Sequence, residues 1–133
     1  MHEHPFKQGS LIIDADFNCI AAPCEKFVGI AFERVDLCGA HLEMAEFVDC
    51  RFTDVFFTKA LAHRMRITNC TFHHCSFFRA DMVGVQITRS RFENCNFEGV
   101  TLCDGQFEDV HFIQCPTQGS AISDNEERNV VWR

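Results

Sequence analysis

The sequence predicts an all-β solenoid: a chain wound in four-sided coils around its own apolar core. Three observations predict it. An apolar residue recurs at every fifth position, a small uncharged residue sits two places before each, and like residues align at a separation of twenty. The first series runs Phe32, Leu37, Leu42, Phe47, Phe52, Phe57, Ala62, Ile67, Phe72, Phe77, Met82, Ile87, Phe92, Phe97, Leu102, Phe107 and Phe112. The second runs through residues such as Ile30, Val35, Ala40, Cys50, Val55, Ala60, Cys70, Cys75, Ser90 and Val110. Neither series contains a charge. The register is unbroken over residues 30–114.

A period of five is neither the 3.6 of a helix nor the 2.0 of a strand. Within each pentamer the order is in, out, in, out, out. The first three residues read as a short extended segment with alternating faces, and the last two turn the chain. Each pentamer is one side of a coil. Four sides close it, because Cys50-Arg51-Phe52, Cys70-Thr71-Phe72, Ser90-Arg91-Phe92 and Val110-His111-Phe112 align at twenty residues. The repeat then makes a little over four turns, a rod of about 20 Å at roughly 4.8 Å per stacked strand. Phe72 is expected between Phe52 and Phe92, with Phe32 and Phe112 beyond them; Phe57, Phe77 and Phe97 form the next stack. Ala62 is a weak point that marks either a void or a bulge.

The flanks are less regular. Residues 1–29 read as an N-terminal segment and a distorted capping coil. Ile12, Phe17, Ala22 and Phe27 hold the register, but Glu25 points inward and Pro23 interrupts. Residues 115–133 read as a C-terminal tail: Cys115-Pro116-Thr117-Gln118-Gly119 ends the rod, a polar and mobile stretch follows, and Val130-Val131-Trp132 forms an apolar tip. That tip either folds over the last coil or packs against a second copy.

Composition bounds the function. The chain has 133 residues, one domain's worth, with 15 Phe, no Tyr, one Trp and nine Cys. The net charge of −7 argues against nucleic-acid binding through positive charge. No apolar run is long enough to span a membrane. With no signal-peptide layout at the start and an odd number of thiols, the expected compartment is the cytoplasm.

Ala80-Asp81-Met82, Val35-Asp36-Leu37, Cys95-Asn96-Phe97 and Ala40-His41-Leu42 follow the order small residue, Asp or a similar polar residue, then Leu, Met or Phe. This pattern resembles the pentapeptide-repeat family over residues 30–114. The resemblance implies a right-handed quadrilateral β-helix. The Phe- and Cys-rich segments Asn69-Cys70-Thr71-Phe72 and Asn94-Cys95-Asn96-Phe97-Glu98-Gly99 are similar to the quinolone-resistance branch of that family. Members of that branch imitate B-form DNA and bind bacterial type II topoisomerases.

Candidate chemistry reads mostly as packing. Cys70 and Cys75 flank His73-His74, but the thiols point inward and the imidazoles outward, so they cannot converge on one tetrahedral ion. Small buried thiols beside stacked rings explain Cys50, Cys70, Cys75 and Cys95. Cys38 and Cys103 fall outward and are the thiols expected to react. A filled solenoid offers no axial pocket to hold a nucleophile against its base. No catalytic residue, metal or cofactor is expected.

Function then belongs to the outer walls. Residues 31–50 set Arg34 against Glu33, Asp36, Glu43, Glu46 and Asp49, net −4; residues 51–70 set Arg51, Lys59, Arg64 and Arg66 against Asp54, net +3. Residues 71–90 are net +1 and residues 91–110 net −4. Phe56 and Phe78 occupy outward positions on the second side of adjacent coils, with Lys59 and Arg79 beside them. An exposed apolar cluster rimmed by charge is a candidate contact surface. The expected function is a non-catalytic protein-binding scaffold, monomeric or dimeric through a terminal coil. The alternative is a DNA mimic acting on gyrase. Against it stand the basic middle coils, the lack of an inserted loop and the lack of an amphipathic C-terminal helix.

Overall fold

The computed structural model describes residues 7–133. A turn recurs every five residues. The last residue of each pentamer has positive φ, from Asp14 (54°) and Cys19 (59°) through Lys59 (57°) and His74 (54°) to Asn129 (56°). This left-handed conformation favours Gly, Asn and Asp, which explains Gly29, Asp49, Asn69, Gly84 and Asn94 at these corners. The left-handed corner is what converts an alternating strand into a five-residue side.

Among the described residues there are twelve strands: β1 (Leu11–Ile13), β2 (Lys26–Val28), β3 (Ala31–Glu33), β4 (Glu46–Val48), β5 (Arg51–Thr53), β6 (Arg66–Thr68), β7 (Thr71–His73), β8 (Gln86–Glu93), β9 (Thr101–Cys103), β10 (Gln106–Ile113), β11 (Ala121–Ser123) and β12 (Glu126–Trp132). Most lie between corners, while β8, β10 and β12 run through the corners at Arg89, Asp109 and Asn129. All pairings are parallel and join residues twenty apart, as in Phe52↔Phe72 and Phe107↔Glu127. A corner every five residues and a partner every twenty give four sides per turn. The chain is a parallel β-solenoid of about six turns.

The coil is regular well beyond residues 30–114. Leu11 pairs with Ala31 and Lys26 with Glu46, while isolated bridges join Asp16 to Asp36 and Ala21 to His41. The expected distortion over Leu11 to Phe27 is therefore corrected to a normal turn. Pro23 fits because it takes the first central position of a turn whose second is Cys24 at φ 61°, the place where a fixed proline φ is favoured. The tail is corrected likewise. β11 pairs with β9 and β12 with β10, so the polar stretch forms the sixth turn. Pro116 and Thr117 change the composition of that turn without breaking its register.

The core is a set of axial columns. Phe32, Phe52, Phe72, Phe92 and Phe112 stack face to face, and Trp132 closes the column on Phe112 at 3.8 Å and 7°. Phe57, Phe77 and Phe97 stack alongside, and Phe27 stacks on Phe47. Neighbouring columns meet edge to face, as in Phe72–Phe77 at 5.6 Å. Both geometries suit the ring quadrupole. At Ala62 the ladder is uninterrupted, with Leu61 bridging His41 and Asp81, so no bulge forms there. The same coil places a buried Met65 where its neighbours carry Ala45 and Val85, which keeps up the coil's inward volume.

Candidate protein-binding surface

The wall chemistry begins with a hydrogen bond that most coils share. On the second side, the outward residue after the inward small one accepts from the N–H two places on. Asp16 Oδ1 accepts from Asn18 at 3.0 Å, Asp36 Oδ1 from Cys38 at 2.8 Å, Ser76 Oγ from Phe78 at 3.3 Å and Asn96 Oδ1 from Glu98 at 2.8 Å. These are Asx-type turns. They give a physical reason for the Asp, Asn or Ser that follows the small residue in these repeats.

Phe56 holds the same position in its coil and has no acceptor to offer. Its backbone bridges Asp36 below and Ser76 above, so the register is normal. Its ring is 53% exposed. A coil that replaces a turn-capping polar group with an exposed aromatic gives up a local hydrogen bond and solvates a ring.

Phe78 lies one coil further and two residues along, in the rank of Thr58. It is half-buried, and the Arg79 guanidinium carbon stands 5.2 Å from its ring centroid, a cation–π distance. Gly99 leaves room for that arginine: a Cβ there would meet Arg79 Cγ at 2.9 Å. Lys59 occupies the corner below Arg79, its N–H donating to the Phe78 carbonyl at 2.9 Å. Both cations sit at positive-φ corners, which aim them away from the core. Phe56 and Phe78 share a wall, but among the described residues no ring contact joins them.

Past that corner, on the third side, Leu61 is 38% exposed. Met44 is exposed one coil below. The sequence reading passed over both, although each is an apolar residue at an outward position of the repeat.

The charge bands resolve into pairs between coils. Arg34 bonds Asp14 at 2.6 Å, Arg66 approaches Glu46 at 3.6 Å, and His63 meets Asp81 at 2.7 Å. Glu93 takes Arg91 and also His73 at 3.6 Å. Among the described residues of the two middle coils, Arg51, Lys59, Arg64, Arg79 and Arg89 have no carboxylate within ion-pair distance. Among the lysines and arginines of the basic belt only Arg66, on the fourth side, is thus paired, and Lys59 and Arg79 stay open beside Phe56 and Phe78.

The thiols follow the packing rule. Cys50, Cys70, Cys75 and Cys95 are buried, and each sulfur points at two backbone carbonyls, as Cys70 does at Phe47 (3.5 Å) and Thr68 (3.3 Å). Ser90 repeats the motif with its hydroxyl on Thr88 O at 2.9 Å. The hydrogen bond from Cys50 and burial push the Cys70 thiol up. Cys115 lowers Cys95, but Cys75 and burial outweigh it and leave Cys95 raised. Cys70 and Cys95 stay neutral thiols. Cys38 and Cys103, expected to react, are half-buried, and burial pushes Cys38 up. The exposed thiols are Cys19 and Cys24.

Against known proteins, the pentapeptide-repeat model matches in eight copies over residues 26–54, 32–64, 57–94 and 80–115. The chain belongs to the pentapeptide-repeat family. No curated protein is significantly similar to it in sequence. Among solved structures, a trypsin-treated form of QnrB1, a plasmid-mediated fluoroquinolone resistance protein, superposes with a TM-score of 0.72 at 15% identity. That match covers 90% of this chain and 73% of QnrB1. Rfr23, a pentapeptide repeat protein from the cyanobacterium Cyanothece 51142, superposes at 0.69 with 12% identity, covering 92% and 91% of the two chains. At such identities the likeness is one of fold. Among the described residues, no helix is long and apolar enough to cross a membrane.

Proposed function

We propose that this pentapeptide-repeat solenoid is a non-catalytic scaffold that binds a partner protein through its second side. Phe56 and Phe78 form the apolar contacts, and Lys59 and Arg79 supply the charge beside them. The observation that carries this reading is Phe56, a half-exposed ring at the position where Asp16, Asp36, Ser76 and Asn96 cap a turn. Interfaces favour aromatic anchors with arginine nearby. The open cations Lys59 and Arg79 point to a partner surface that sets carboxylates around an apolar centre. The filled axis supports a role for the walls rather than for an interior site.

The DNA-mimic alternative draws on the shared fold with QnrB1. The open cations of the middle coils favour the first reading, because a phosphate-like surface needs unbroken negative charge.

Affinity capture from cell lysate with wild type and with Phe56→Asp/Phe78→Asp tests the proposal. Both side chains face outward, so the variant should keep its circular-dichroism melt while losing the captured proteins. Recovery of the same proteins by both baits would overturn the aromatic contact. A supercoiling assay covers the alternative, which needs the rod to act on gyrase.

A further inference from the structure

The two ends of the rod carry complementary surfaces. Among the described residues, each terminal coil pairs with a neighbouring coil on one side only. β1 and β2 pair with β3 and β4, while β11 and β12 pair with β9 and β10. Such edges present unpaired backbone groups. Of the large apolar side chains that stand exposed, Leu11 (60%) and Ile13 (42%) lie on β1 and Trp132 (37%) on β12. All three belong to the first side, two at one end and one at the other.

The fourth column adds charge. Its interior is apolar: Phe27, Phe47, Ile67, Ile87 and Phe107. One step of twenty below Phe27 is Lys7, in a register held by the Gly9 N–H on Val28 O at 3.0 Å. One step above Phe107 is Glu127. Among the described residues the column therefore runs from a lysine to a glutamate, and both are exposed. The Trp132 indole N–H donates to Glu127 Oε1 at 3.1 Å, which ties the carboxylate to the end face.

The step of twenty can be continued from one molecule into the next. It sets Lys7 of one copy over Glu127 of another and Ile12 over Trp132. It also brings Leu11 beside Val131. On these first and fourth sides an aliphatic side chain meets the flat indole, and the charges at the contact are opposite.

We propose that the protein stacks head to tail, the N-terminal coil of one copy adding to the C-terminal coil of a second copy. The Lys7–Glu127 pair and the Ile12–Trp132 contact set the register. This interface is heterologous and does not close on itself, so the assembly grows as a linear rod. Pairing of two C-terminal ends would instead stop at a dimer and leave Lys7 unused.

Sedimentation velocity of the full chain across a concentration series tests this, with wild type, Lys7→Glu, Glu127→Lys and the double exchange. Wild type should pass beyond the dimer as concentration rises. Each single reversal should weaken association by about tenfold or more, and the double exchange should restore it. The two single variants, weak alone, should assemble when mixed, because each then offers the end the other needs. Thermal melts confirm that these exposed positions leave the fold intact. A monomer at every concentration, a species that stops at the dimer, or Lys7→Glu behaving as wild type would each overturn the proposal.

Discussion

Truncating Phe72 tests the axial stacking at its centre. The ring is 2% exposed. It lies between Phe52 and Phe92, each at 4.4 Å and within 5° of parallel, and meets Phe57 and Phe77 edge to face at 6.2 and 5.6 Å. Phe72→Ala removes all four ring contacts and leaves a void that the rigid parallel ladder on both sides keeps from collapsing. A buried Phe→Ala change costs about 3–5 kcal/mol. Two face-to-face partners, at roughly 0.5–1.5 kcal/mol per ring pair beyond burial, place this site near 5 kcal/mol. For a chain of this size that lowers Tm by about 15–20 °C. Urea and thermal unfolding followed by circular dichroism give both numbers. Phe56→Ala, at an exposed ring, serves as the control and should stay near wild type. A loss below about 1 kcal/mol at Phe72 would refute the stacking and with it the register.

Other consequences are open to measurement. Gly105→Ala should destabilise by about 1–3 kcal/mol in a urea titration, since its Cβ would stand 2.7 Å from Val85 O and 3.1 Å from Asn125 Oδ1; a neutral result would mean β10 can shift away from the coil below. With a chromogenic thiol reagent, Cys19 and Cys24 should react first, Cys38, Cys103 and Cys115 slowly, and the four buried thiols only on unfolding; rapid labelling of Cys70 would contradict its packing. The Arg34 hydrogen bond holds the Asp14 carboxyl below its ordinary value, and the Arg91 hydrogen bond does the same for Glu93. Depressed carboxyls contribute stability above their unfolded values and lose it as pH falls through the folded ones. Tm should therefore drop on acidification below about pH 4, with a shallower drop in Asp14→Asn/Glu93→Gln; equal slopes would show these exposed pairs to be inert.

Much of the fold is legible because the five-residue corner imposes the same burial on every pentamer, so inward columns stay free of charge over many repeats. The ends are harder to read because an inward position there is covered on one face only. Thr117 and Glu127 are tolerated where Phe77 or Ile87 would be needed deeper in the rod, and Glu25 is half-buried beneath Ala45. Pro23 looks like a breaker until its position in the turn is known. Phe56 was visible as an outward aromatic. Its meaning came from the turn-capping bonds of Asp16, Asp36, Ser76 and Asn96, a column of acceptors that the sequence displays once the period of twenty is imposed. Leu61 and Met44 carry no comparable contrast, since the outward positions of their columns vary freely.

The most direct test of a partner-binding second side is site-specific photo-crosslinking. A photoreactive phenylalanine analogue is placed at position 56, on the second side, or at position 86, where Gln86 faces outward on the fourth. The account predicts a discrete adduct from position 56 and none from position 86. Equal adducts from both positions, or an adduct from position 86 alone, would contradict it.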